Sequence, residues 1–142
     1  MLGRKTYTEQ ELDAARRTIE RQLTTWRALA AAVEASGDED ARAALEAFAP
    51  GYFNDLAVAL DRPFVHRVRT VAGKGTNPLN ELELLVESLT LNDGVLQVGN
   101  VITYTPDAAI AGLADGDRIA LDEDAYDRLS HAVVDQLTLV SA

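Results

Sequence analysis

The sequence predicts a mainly α protein: a helical bundle with a long N-terminal helix and a small β element in the C-terminal third. Three observations carry this reading. Apolar residues recur every three or four positions along most of the chain, which is the period of one helix face. Residues that cap helices stand just ahead of those stretches. Only between Val95 and Leu121 do β-branched residues and glycines displace the pattern. With 142 residues, 47% of them hydrophobic, the chain suits one helical domain, 1–142. A core of that size needs no metal or disulfide staple.

The first helix opens at a capping box. Thr8 and Glu11 are spaced to satisfy each other's backbone amides. Leu12, Ala15, Ile19, Leu23, Trp26, Ala30 and Val33 then form one apolar stripe. A helix from Glu9 to about Ala35 is about 40 Å long at 1.5 Å per residue. That is long for so small a domain, and such a helix often forms a bundle's spine or half of a dimer interface. Ser36-Gly37 ends it. A second helix starts on the acids Asp38-Glu39-Asp40, which suit the positive end of its dipole. Pro50-Gly51 is expected to interrupt it. The stretch then resumes with Tyr52, Phe53, Leu56 and Leu60 on one side. Asn54 and Asp55 are polar there. Turned inward, they need partners such as His66, Arg69 or Asn80; otherwise they face solvent.

Asp61-Arg62-Pro63 marks the next boundary. Residues 64–72 can be read as helix or strand, and the helical reading places Phe64, Val65, Val68, Val71 and Ala72 on one face. Asn77-Pro78 is a strong helix start, with a side-chain acceptor at the cap and proline in the first turn. Leu79, Leu82, Leu85, Val86 and Leu89 supply that helix's apolar face, and Asn92-Asp93-Gly94 stops it. Val95–Tyr104, with Gly99-Asn100 in its middle, reads as a small hairpin. Thr105-Pro106 begins a short helix, and residues 116–121 read as a turn and a short strand. Asp122 caps a final helix whose apolar face is Ala125, Leu129, Val133, Leu137 and Val140.

The net charge is −10. Residues 62–74 hold Arg62, Arg67, Arg69 and Lys74 and no acid, whereas residues 75–142 hold 12 acids and only 2 basic side chains. Such a surface repels nucleic acid and anionic membranes. Cysteine is absent, which removes thiol catalysis, disulfides and cysteine-bound metals. No signal peptide and no membrane span are read from the sequence, so a soluble, cytoplasmic protein is expected. Alanine is abundant and arginine outnumbers lysine, as in high-GC bacterial coding sequences.

The basic segment runs into Gly73-Lys74-Gly75-Thr76. It is not a Walker loop, because Val68 stands where the first glycine belongs and Gly75 where the hydroxyl belongs. The dinucleotide pattern fails too, since Pro78 replaces its third glycine. A weaker anion site is conceivable: His66, Arg69, Lys74, Asn77 and Asn80 gathered at a helix N-terminus, for a phosphate or carboxylate. A neutral His66 could act there as a base. The plainer reading makes the loop a glycine turn, Lys74 a solvated cation and Asn77 a helix cap. With only His66 and His131, a three-histidine metal site is excluded, and no His-Glu-x-x-His motif occurs. Ser130 and His131 are helix neighbours that cannot face each other, so no serine triad is indicated. No catalytic residue, cofactor or metal is assigned.

The segments "FVHR", "GKGTNPLNE" and "VITYTPDAAIAGLADGDRIAL" resemble a set of small bacterial proteins of unknown function. That likeness covers most of the chain and implies no activity. Two functional readings follow. One is a non-catalytic binding or interaction module, self-associating as a homodimer through the long first helix. The other is a small enzyme or sensor that recognises an anionic metabolite at residues 62–80.

Overall fold

A computed structural model describes residues 3–4, 6–65 and 72–142. Among them are four α-helices: α1 (Glu9–Ser36), α2 (Glu39–Asp61), α3 (Pro78–Leu91) and α4 (Glu123–Ser141). Two 3-10 turns, Arg62–Phe64 and Pro106–Ala108, complete the regular structure. The protein is mainly helical. The helix-or-strand question over 64–72 falls mostly on residues 66–71, outside those described.

Local chemistry sets the helix ends. Thr8 Oγ1 accepts from the Glu11 amide at 3.1 Å, and the Glu11 carboxylate accepts from the Thr8 amide at 2.7 Å. Arg4 grips the same carboxylate through two bonds of 2.8 Å. Arg4 and the Thr8 amide together hold the Glu11 carboxyl down at about 2. At the other end Gly37 takes φ 66°, where a side chain would be strained, and closes α1. Asp38, Asn77 and Asp122 each cap their helix with a side-chain oxygen.

The four helices form a ring in which α1 touches α2 and α4, and α3 touches α2 and α4. The pair α2 and α4 also meets across the middle. Ile19, Leu23, Phe53, Leu82, Leu129 and Val133 interlock in one buried cluster. The α4 helix runs antiparallel to α1. The Tyr7 amide donates to Ser141 Oγ at one end, and Arg27 pairs with Glu123 and Asp127 at the other.

Midway along that seam, His131 Nε2 lies 2.8 Å from Glu20, and Nδ1 lies 2.8 Å from the Asp127 carboxylate. Burial works against the charged ring, but the Asp127 carbonyl and the two carboxylates outweigh it and raise its pKa above 6.5. The clasp therefore adds stability that is full below the unfolded value and fades as pH rises through the folded one. Because the ring is partly exposed, His131→Ala is expected to cost no more than about 1 kcal/mol near neutral pH. Thermal melts at about pH 5.5 and about pH 9 check the sign, with the larger loss expected in acid.

Two sequence expectations need correction. First, α2 runs through Pro50 without a break. The proline removes the bond that the exposed Glu46 carbonyl would accept, and water can replace it there. Packing of Tyr52 and Phe53 against Trp26, next to the proline, holds the helix together.

Second, the small β element does not form. Among the described residues there is no strand; in this segment Val95 and Arg118 form an isolated antiparallel bridge. Residues 94–96 and 116–119 share three backbone bonds of 2.8 Å, too few for a strand, and side chains from the helices satisfy much of the rest of residues 92–122. Ser88 Oγ accepts from the Gln97 amide at 3.0 Å. Asn54 donates to the Ile119 carbonyl at 3.0 Å and accepts from the Leu121 amide at 3.0 Å, imitating a strand edge. Thus Asn54 turns inward, toward partners the sequence did not suggest, while Asp55 is exposed. Leu96, Ile102, Ile119 and Leu121 pin the segment into the core. No helix among the described residues is long and apolar enough to cross a membrane.

Candidate functional site

The glycine loop is a knot tied by two asparagines. Asn77 Oδ1 accepts from the Asn80 amide at 3.0 Å, and its Nδ2 donates to the Ala72 carbonyl at 2.7 Å. Asn80 has no exposed surface, and its Nδ2 faces the carbonyls of Gly75 at 2.7 Å, Gly73 at 3.2 Å and Ala72 at 3.4 Å. Gly73 holds φ 71°, which turns its carbonyl toward that amide. Thr76 Oγ1 donates to the Thr103 carbonyl and accepts from the Thr105 amide, at 3.0 and 2.8 Å. The Lys74 carbonyl accepts from the Thr103 amide at 2.7 Å.

Of the five candidate ligand residues, Asn77 and Asn80 are thus brought together, but with these amide groups turned to the loop's own backbone. Lys74 is exposed, with its backbone in the knot. His66 and Arg69 lie outside the described residues.

The next residue, Glu81, is the polar side chain that periodicity missed. It is 2% exposed and accepts from the Ile110 and Ala111 amides at 2.7 and 2.8 Å. Burial raises its pKa against the pull of those two amides and the nearby Arg128 charge. Burial, with the Glu81 and Asp117 carboxylates, likewise pushes the Tyr104 phenol up to about 12. Its hydroxyl therefore stays protonated and donates to the Leu113 carbonyl. Glu81 fastens the 104–113 loop to α3, and Tyr104 closes that loop on itself. The partners of Glu81 lie about 30 residues away in sequence, so only the acid's position inside a Leu-rich helix hinted at them. Among the described residues no group of three or more His, Asp or Glu side chains is placed to hold a metal ion.

A second feature lies at the opposite end of α1. The buried residues of α1 stop at Trp26, and those of α2 begin at Phe53. Residues 28–50 therefore project as a helical arm with no fully buried side chain. Arg42 ties its two helices through Glu34 at 3.0 Å. At its base the rings of Trp26, Tyr52 and Phe48 stack nearly parallel, with centroids 5.3–6.5 Å apart. The stack passes outward from buried Phe53 to Phe48, which is 51% exposed, and on α1 Leu29 is 47% exposed. The spacing of Phe48 and Tyr52, four residues apart on one helix face, is the sequence signal that could have found it.

No protein-family model, no curated protein and no solved structure matches the chain. Function must therefore be argued from these surfaces alone.

Proposed function

We propose that this chain is a non-catalytic interaction module that pairs with a second copy of itself through the α1–α2 arm. The observation that carries this reading is the arm itself: two apolar helices that outrun the core and leave Phe48 and Leu29 half exposed. A helical face without a neighbour gains by burial against another such face. Between the charged tip and the core the arm is mostly alanine, which lets helices approach closely.

Charge favours an antiparallel second copy. The exposed side of α1 carries Arg17 and Arg21 toward its start, while Glu34, Asp38, Glu39 and Asp40 crowd the tip. Two α1 helices crossing antiparallel near Ala28 place each tip beside the other copy's arginines. Among the exposed large apolar side chains described, the arm presents only Leu29 and Phe48. The association is therefore weak, concentration-dependent and reduced by salt.

The reading as a small enzyme or anion sensor at residues 62–80 has less support, because the side-chain amides of Asn77 and Asn80 are committed to the loop. The test is size-exclusion chromatography with light scattering on Leu29→Glu/Phe48→Glu. We expect the wild type to elute above monomer mass and the variant as a folded monomer. Equal masses at matched concentrations would contradict the arm as the interface.

A further inference from the structure

We propose that the hollow between the first half of α1 and the last turns of α2 binds a small neutral molecule, an apolar body of about two rings that carries a carbonyl or similar hydrogen-bond acceptor. The hollow encloses about 280 Å³. A dry apolar cavity of about 150 Å³ takes up benzene, so a body roughly twice that size fits. Its floor is core: Ile19, Leu60, Phe64 and Tyr126 are each at most 7% exposed. Ala14 on α1 and Ala59 on α2 stand exposed at its edges, where a longer side chain would reach into it. Interiors are otherwise filled to crystal-like density, so an opening onto four core side chains is a feature that asks for an occupant.

The polar groups of the hollow are few, and one of them is fixed. The Tyr126 hydroxyl donates to Gln22 Oε1 at 2.6 Å. Burial, with Tyr52 nearby, raises the pKa of that phenol, so it stays a donor. Gln22 is thereby held by its oxygen, and its NH2 donates to no described residue. Thr18 lies one turn earlier on the same face of α1. Thr25 and Thr138 turn their hydroxyls back to the carbonyl four residues before, but the Thr18 hydroxyl bonds to no described residue. The hollow therefore offers two spare donors beside an apolar floor, the arrangement that orients a small molecule.

Charge and shape select the occupant. Glu11 is the one charged side chain lining the hollow among the described residues. Arg4 and the Thr8 amide already hold its carboxylate. No cation lines the hollow among the described residues, so a carboxylate or phosphate would lose water without gaining an ion partner. None of the exposed large apolar side chains described, Leu29 and Phe48 included, lines it either. A surface that receives another protein turns apolar side chains outward. Here the apolar area lies at the bottom, which suits a molecule that enters. The site is independent of pairing through the arm.

The test is ligand-observed NMR with three probes of similar shape: methyl naphthyl ketone, ethylnaphthalene and naphthoate. The ketone is expected to bind the wild type about tenfold more tightly than the hydrocarbon, roughly the worth of one hydrogen bond, and naphthoate most weakly. Gln22→Glu keeps the acceptor for Tyr126 but loses the NH2, and Thr18→Val loses the hydroxyl. Together they are expected to abolish the preference for the ketone. Ala59→Leu, at an exposed helical position, is expected to weaken both neutral probes by about tenfold or more while the melting temperature holds. Leu29→Glu/Phe48→Glu is expected to leave binding unchanged, which separates this hollow from the arm. Equal binding of ketone and hydrocarbon, tighter binding of naphthoate, a ketone preference that survives the Thr18/Gln22 change, undiminished binding by Ala59→Leu, or no binding by any probe would overturn the proposal. So would a change in oligomeric state in Ala59→Leu, which would assign the hollow to a second copy.

Discussion

Asn80→Asp is expected to destabilise the protein by about 3–5 kcal/mol at neutral pH, the scale of an uncompensated buried charge. The change exchanges one NH2 group for an oxygen. Yet that NH2 faces three backbone carbonyls, and the side chain is fully buried. A carboxylate there meets acceptors with an acceptor, and burial penalises its charge as well. The folded-state pKa of the new acid is therefore raised. Its destabilisation is full above that value and shrinks as pH falls toward the unfolded value near ~3.9. Once protonated, the acid can donate to one of the carbonyls again. Asn80→Ala, which loses the donor and adds no charge, is expected to cost about 1–3 kcal/mol with no such rescue in acid. Urea melts of both variants across pH separate the two cases. If Asn80→Asp matched Asn80→Ala at every pH, the knot would not be as described.

A comparable loss, about 3–5 kcal/mol, is expected for Leu82→Ala. Leu82 is 0% exposed on α3, the helix whose buried residues point in every direction. It faces other helices, while its polar neighbours Asn80, Glu81 and Ser88 hold the two loops that wrap the helix. No flexible surface is available to collapse into the space, so the cavity remains. Leu91→Ala is the matched control. It makes the same chemical change at the C-terminal end of the same helix, at a residue 79% exposed, and should cost less than about 0.5 kcal/mol. A native stability of roughly 5–15 kcal/mol makes the first change large and the second barely visible. Similar melts for the two variants would mean that α3 is not central.

Helix starts and stops were legible because they depend on neighbours in sequence. Thr8 with Glu11, Gly37, Asn77-Pro78 and Asp122 act where the sequence places them. The core stripes of α1 and α4 were legible for the same reason, since Leu12, Ile19, Leu23, Leu129, Val133 and Leu137 are all buried. The 92–122 segment was not. Its β-branched residues resemble strands locally, but beyond three backbone bonds between 94–96 and 116–119 it leans on Asn54, Thr76, Glu81 and Ser88, as far as 67 residues away. No local period records such pairings. Pro50 misled for a related reason: the local cost of proline is real, but ring packing beside it outweighs that cost. At the candidate ligand segment, Asn77 was readable as a cap. The inward turn of the Asn80 amide was not, because nothing local sets which way it faces.

The proposal that the arm pairs two copies is tested most directly by sedimentation equilibrium over a dilution series, with Trp26 fluorescence recorded in parallel. Trp26, the chain's single tryptophan, stacks under Phe48 at the arm's base and so reports on that surface. The account predicts a dimer at high concentration that dissociates on dilution and on adding salt. It also predicts that the tryptophan emission shifts with the change in mass. A monomer at every concentration, or a dimer whose dissociation leaves Trp26 emission unchanged, would contradict it.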